Sequence, residues 1–526
     1  MRTLIYNFFG ITMLALLGLT SCQNELDLKP TNDITSDRAY SSLAGYKQVL
    51  AKVYGAYALT GNGVRLSDLG GIDPGNSDFL RLFWNLQEMS TDEAVNAWGD
   101  RGLVDLQTNS WTSDNVQIQG LYTRSIYQIT VANTFIRESS DEKISSRGLS
   151  GADASEIRRF AAEARFLRAF QYWVLLDVFG NPPFVTEQDA IGKTLPKQTT
   201  RSALFNYIES ELKAIEPLMA DARQNEYGRA DKGAVNALLA RLYINAQVYL
   251  GQPKYAEARE AASKVIAAGY SLMPEYKNLF RADNHLNNNE VILSINYDGT
   301  NTQNFGGTTF LVNASIKGAW KEEFGLTGPE AGWAGNHTRD NLPALFPSTN
   351  DKRAMFKGND PTMDDFNIFD EGLAVAKWNN LTSDDKVVPG YEGRVCSVDF
   401  PLFRLAEMYL IYAEAVKRGG ASSGGTEGTA ITYLNLLRQR AYGNATGNLS
   451  AYSLDDILNE RGRELYWEGF RRTDLIRFGK FSEGSYLWPF KGGVKAGSPF
   501  SSHRNLYPLP ASDISSNPNL TQNTGY

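Results

Sequence analysis

Apolar positions recur along this chain mainly with a helical period. In GAVNALLARLYINAQVYL (233–250), Val235, Leu238, Leu239, Leu242, Tyr243, Ala246, Tyr249 and Leu250 fall three or four apart and draw one wide apolar face. LFRLAEMYLIYAEAVKR (402–418) repeats the pattern with Leu402, Leu405, Ala406, Tyr409, Leu410, Ala413 and Val416. The same reading predicts helices over 116–138, 155–179, 201–219, 253–268, 427–442 and 455–470. Stops punctuate them: Gly180-Asn181-Pro182-Pro183 ends one, Gly251-Gln252-Pro253 separates two, and Gly419-Gly420 closes another. Small alanine faces between such stops predict antiparallel helix pairs, stacked in the tetratricopeptide manner although no fixed repeat length is present.

The helical period fades over 60–115 and 272–400. The later segment turns rich in Asn, Gly, Asp and Trp, with short alternating runs such as VILSINY (291–297) that predict a few short β-hairpins. Long irregular stretches inside a globular protein usually carry function, and the Trp and Phe content here argues against disorder. The expectation is one mainly α domain over 39–526: a helical scaffold with a ligand-binding surface hung from the two loop-rich parts.

The amino terminus follows another logic. Arg2 precedes a mostly apolar run from Phe8 to Leu19 and small Thr20 and Ser21, the order of an export signal, and the run is too short to span a bilayer. Leu19-Thr20-Ser21-Cys22 resembles the bacterial lipobox, which implies removal of residues 1–21 and lipidation of Cys22. Polar residues 22–38, with Pro30, then read as a tether. Cys396 would be the remaining thiol, so no internal disulfide is expected. The net charge is −7 with no Lys/Arg-rich run, which argues against nucleic acid as a partner.

Candidate chemistry is sparse. Arg461, Glu464, Glu468 and Arg471 lie at spacings that place them on one helical face, and paired carboxylates invite a glycosidase reading. Flanking Arg463 and Arg472 would keep both acids ionised where a general acid needs a raised pKa, so the set reads as a structural ion-pair network. His285, His337 and His503 are widely separated, no HExxH motif is present, and no GxSxG nucleophile elbow follows a predicted strand. No cofactor is required by the sequence. In DNHLNNNE (283–290), Asp283 and Glu290 are candidate calcium ligands, although turn chemistry explains the asparagines equally well.

Five collinear stretches carry a resemblance: AAEARFLRAFQYWVLLDVFGNPPF (161–184), GRADKGAVNALLARLYINA (228–246), PLFRLAEMYLIYAEAVKRGG (401–420), ERGRELYWEGFRRTDLIRFGKF (460–481) and LYPLPASDISSNPNLTQNTGY (506–526). Together they resemble the SusD/RagB family of outer-membrane nutrient-binding lipoproteins. The resemblance implies a non-enzymatic protein, lipid-anchored at Cys22 on the outer face of the outer membrane. There it would capture oligosaccharide and act as a lid on a SusC-like TonB-dependent transporter. Acidic QNELD after Cys22 is similar to the family's surface-export signal. DPGNSDFLRLFWNLQEMSTDEAVNAWGD (73–100) is closest to the starch-binding branch, which implies Asp73, Arg81 and Trp98 at the glycan, with Trp333 in GPEAGWAGN and Phe305 in NFGG as further aromatics. One departure is Asn96, where that branch carries a second tryptophan, so a narrower stacking platform is expected. A RagB-like peptide-binding subunit and, more remotely, a glycoside hydrolase are the competing readings.

Overall fold

Polar residues standing just ahead of apolar runs start most of the helices. In the computed structural model, which describes residues 36–63, 65–70, 72–190, 192–420 and 426–526, Ser42 caps α1 (Leu43–Ala58) and Asp78 caps α2 (Phe79–Glu88). Asn115 caps α3 (Val116–Glu138), which is followed by α4 (Gly151–Val178). Thr200 caps α5 (Arg201–Ile215), Asp231 caps α6 (Lys232–Ile244), and α7 follows at Tyr255–Ala267. Each such side chain takes up an otherwise unpaired backbone N–H, worth about 1 kcal/mol. Cys22, the signal segment 1–21 and the tether up to residue 35 lie outside the described residues.

Further along are α8 (Gly307–Ser315), α9 (Leu405–Lys417), α10 (Glu427–Tyr442), α11 (Leu454–Leu465) and α12 (Arg471–Arg477). Helices neighbouring in sequence pack on one another, α3 on α4, α4 on α5, α6 on α7 and α9 on α10, and α9 also packs on the sequence-distant α7. The α3/α4 pair is antiparallel, because Gln171 donates to Ser125 Oγ at 2.6 Å while Arg168 donates to Asn133 Oδ1 at 2.7 Å. Fully or almost fully buried Ala258, Ala261 and Ala262 let α7 approach its neighbours closely, and one contiguous apolar core runs through the helical layers. These are the tetratricopeptide-like pairs expected. Among the described residues no helix is long and apolar enough to cross a membrane.

Short strands occupy the loop-rich part: β1 (Val95–Asn96), β2 (Val291–Ile295), β3 (Asn336–His337) and β4 (Phe400–Arg404). These four do not form local hairpins. β1 pairs antiparallel with β3, and β2 with β4, so each pair closes a long segment. Other expectations shift in detail. Leu402 sits in β4 rather than on the helical face, the helix of 233–250 breaks at Asn245, and α2 and α8 stand where only loops were expected. The helix predicted at 455–470 stops at Leu465, because Trp467 takes a left-handed φ of 61°, and Glu468 lies beyond it. Glu464 and Glu468 therefore do not share a helical face.

They do share a network. Arg404 bonds to Glu290, Glu464 and Glu468, Arg353 to Asp351, Glu460 and Glu464, Arg440 to Glu290 and Glu464, and Lys377 to Glu468. All of these side chains are buried. Burial pushes the Glu460 carboxyl up, but Arg353, Arg463 and Arg438 outweigh it and bring it down to about 2. Glu464 is likewise held well below the usual carboxylate range, as Arg440, Arg404 and Arg353 overcome the cost of its burial. Neither acid is poised to give up a proton near neutral pH.

The two candidate calcium ligands take different partners. Glu290 accepts from Arg404, Arg440 and the Met273 amide, while Asp283 accepts from the amide and hydroxyl of Ser383 at 2.7 and 2.6 Å. Among the described residues no group of three or more His, Cys, Asp or Glu is arranged to hold a metal ion.

Candidate ligand-binding site

The two loop-rich parts meet where α2 and α8 begin. Asp78, fully buried, uses one oxygen for both: its Oδ1 accepts from Arg81 N at 2.8 Å and from Gly307 N at 2.8 Å. Burial raises the Asp78 carboxyl, and these two amides and nearby Arg124 and Arg81 pull against that. Gly306 explains half of the NFGG motif, because a Cβ there would fall 2.2 Å from Asp78 Cβ. One acid thus ties the first turn of α2, which carries Arg81, to the start of α8, just after Phe305.

Above this clip three half-buried rings form an arc. Trp98 and Trp333 have centroids 6.4 Å apart with planes inclined at 52°, and Phe305 meets Trp333 at 6.2 Å and 81°. Trp98 also packs on Phe310, a buried ring of α8, at 6.1 Å. Trp98 is held from behind. Its amide donates to Asn96 Oδ1 at 2.7 Å, the Ala97 amide donates to Gly335 O at 2.8 Å, and Gly335, with φ +105°, lies where any Cβ would come within 2.2 Å of the indole Nε1. Trp333 is seated by Asn313 at the end of α8, whose carbonyl accepts its amide at 2.8 Å. Its indole Nε1–H donates to Glu330 O at 3.0 Å, which leaves the ring faces to carry the contact surface.

Cations rim the arc. Arg81 stands 5.6 Å from the Trp98 ring and 4.7 Å from Phe310, while Arg394 and Arg65 flank Phe305 at 4.6 and 5.5 Å. Burial pulls the Arg81 pKa down, against Asp100, Asp78 and Asp73, which favour its charge. Acids accompany these cations: Asp100 lies 3.5 Å from Arg81, and Glu330 and Glu392 pair with Arg394. The surface therefore has aromatic faces and hydrogen-bonding groups with its charges largely balanced.

The structure thus brings Arg81, Trp98, Phe305 and Trp333 together. Asp73 is exposed beside them. Its carboxylate caps a short turn at Gly75 N (2.9 Å), and a Cβ on Gly75 would lie 3.0 Å from Asp73 Oδ1 and 3.4 Å from Arg81 Nη1. Asn96 is a finding of its own: fully buried in β1, it bonds to Asn336 of β3 and supports Trp98 from below. It belongs to the mounting of the platform and not to its face. Residues not anticipated are Asp78, Phe310, Asn313, Arg65 and Arg394. Asp78 was legible as a helix cap before FLRLFWNL, whereas the others act across long sequence separations that no local pattern records.

Comparison with known proteins agrees with this architecture. Residues 326–526 match the family model described as "SusD family", and residues 70–244 one described as "Starch-binding associating with outer membrane". The chain is 36% identical to "Starch-binding protein SusD" of Bacteroides thetaiotaomicron, over 99% of each chain. It is 28% identical to "SusD-like protein P2" of Formosa agariphila, over 80% of this chain and 83% of that one. In fold it is similar to the surface glycan-binding protein A of Bacteroides fluxus (TM-score 0.68, 22% identity, 92% and 99% covered). The same holds for surface glycan-binding protein A of Bacteroides thetaiotaomicron, solved in complex with laminarihexaose (TM-score 0.69, 19% identity, 91% and 99% covered). The chain belongs to the SusD family.

Proposed function

We propose that this protein captures a neutral glucan at the cell surface and presents it to a SusC-like TonB-dependent transporter, held to the outer membrane by lipid on Cys22. The arc of Trp98, Trp333 and Phe305 carries this reading. Apolar sugar faces stack on aromatic faces, and rings inclined at 52° and 81° suit a chain whose successive sugars turn, as in a curved α-glucan, better than a flat ribbon. Balanced charges at the rim favour a neutral sugar over a polyanion. The starch-binding relative at 36% identity makes a starch-type α-glucan the first choice, with a curved β-1,3-glucan as its competitor. Half-buried rings with their faces free of hydrogen bonds also favour glycan over an extended peptide, which would seek a row of backbone donors.

Calorimetric titration of the purified protein with maltoheptaose, laminarihexaose, cellohexaose and a peptide pool tests the proposal. Binding of maltoheptaose, weakened about 30-fold or more in Trp98→Ala and in Trp333→Ala, is expected from the energetics of buried aromatic contacts. Preference for laminarihexaose would move the linkage while keeping the site. Glycan binding untouched by both substitutions would overturn the site, and binding of peptide alone would overturn the ligand class.

A further inference from the structure

A second cleft lies between the turn at Tyr227, residues 282–285, the chain leaving β2 and residues 388–399. Its volume is about 510 Å³, and none of the arc's rings lines it. Such a volume falls within the range of ligand sites, roughly 300–1,000 Å³.

Tyr227 is 47% exposed, unusual for so large a ring, yet it is fixed. Its Oη donates to Asp399 Oδ2 at 2.8 Å, and buried Asp399 is itself held by the Tyr297 amide, at 2.7 Å. The exposed ring of His285 lies beside it, with centroids 6.2 Å apart and planes inclined at 54°. Trp98 and Trp333 stand at 6.4 Å and 52° in the arc, so the two sites present ring pairs of nearly the same spacing and inclination.

The polar lining narrows the ligand. Asp283, Asp298, Asn296 and Ser397 face the cleft, and no Lys or Arg lines it. Asp283 already accepts from Ser383, and Asp298 from the Thr300 and Asn301 amides at 2.7 and 3.1 Å. Carboxylates satisfied in this way do not demand a cation, and their remaining lone pairs suit hydroxyl donors. The absence of basic groups from the lining disfavours anions.

From these observations we infer that the Tyr227–His285 cleft is a second saccharide subsite, taking one or two sugar rings of a neutral glycan. The inference rests on the reading of the protein as a glycan binder. Two sites on one chain let a long glycan be held at two points, so the second raises the retention of polymer far more than that of a short oligomer.

The test pairs polymer and oligomer. Soluble starch and laminarin, with maltotriose and laminaritriose, are titrated into the parent protein, Tyr227→Phe, Tyr227→Ala and His285→Ala. His285→Ala guards against a folding artefact, since that side chain is exposed. Expected are a loss of polymer affinity of about tenfold or more in Tyr227→Ala and His285→Ala, near-parent binding in Tyr227→Phe, which keeps the ring, and little change for the arc's trisaccharide. Residual polymer binding by Trp98→Ala/Trp333→Ala should vanish when Tyr227→Ala is added. Parent-like polymer binding in Tyr227→Ala and His285→Ala overturns the subsite and leaves the arc intact. Sensitivity to Tyr227 with none to Trp98 or Trp333 overturns the arc and keeps the cleft, and a parent that binds no glycan overturns both.

Discussion

The aromatic arc and the arginine–glutamate network use similar residues to opposite ends. In the network Arg404 meets three carboxylates, Glu464 meets three arginines, and every side chain is buried. In the arc the rings are half-buried, Arg81 has one carboxylate 3.5 Å away at the rim, and the faces of Trp98 and Trp333 are not used up by hydrogen bonds. Completeness of bonding, more than residue type, separates scaffold from site. A buried acid with several cations has nothing left to offer a ligand, whereas a ring pinned only along its edge does.

Breaking the network should give the largest effect. Arg404→Met leaves Glu290, Glu464 and Glu468 buried with fewer partners, and a destabilisation of about 3–5 kcal/mol is expected in urea unfolding, with glycan affinity per folded molecule unchanged. A parallel loss of affinity would mean that the two regions are one unit. The network also fixes a sign. Glu460 titrates at about 2 in the folded protein against an ordinary 4.5, so its contribution is present above pH 4.5 and is lost as pH falls through 2. Glu460→Gln should lower stability at neutral pH and flatten this acid limb of the stability curve.

The clip tests the boundary between the two regions. Asp78→Ala removes the acceptor for two helix starts, and a loss of about 1–2 kcal/mol in stability together with weaker glycan binding is expected, while Asp78→Asn, which keeps an oxygen, should recover much of both. Unchanged affinity in the alanine variant would show that Arg81 and Phe305 hold their places without it. At the far end, Arg158→Ala breaks the exposed pair with Asp141, and less than about 0.5 kcal/mol is expected in the same unfolding assay.

Much of the scaffold was legible in the sequence because its signals are local. The helices at 116–138 and 427–442 were bounded to the residue by an N-cap, an apolar stripe and, for the second, a closing glycine. The site was legible only in part. Trp98 and Trp333 could be named from resemblance, but their mutual angle depends on β1 pairing with β3, a contact between segments some 240 residues apart. The loop-rich reading of 60–115 passed over α2, whose Arg81, Asn85 and Glu88 do recur at helical spacing opposite Phe79, Phe83 and Leu86; in the fold all ten of its residues are nonetheless buried. Glu468 was misplaced because nothing in its neighbours announced the left-handed Trp467.

The pairing of β1 with β3 and the clip at Asp78 also set when, along the emerging chain, a ligand surface can exist. A chain threaded out only to residue 300 carries Arg81 and Trp98 but neither Phe305 nor Trp333, and Asp78 then has no second helix to hold. If the arc is the glycan site proposed above, capture there is a property of the finished molecule, and sugar binding doubles as a report that folding has run to completion.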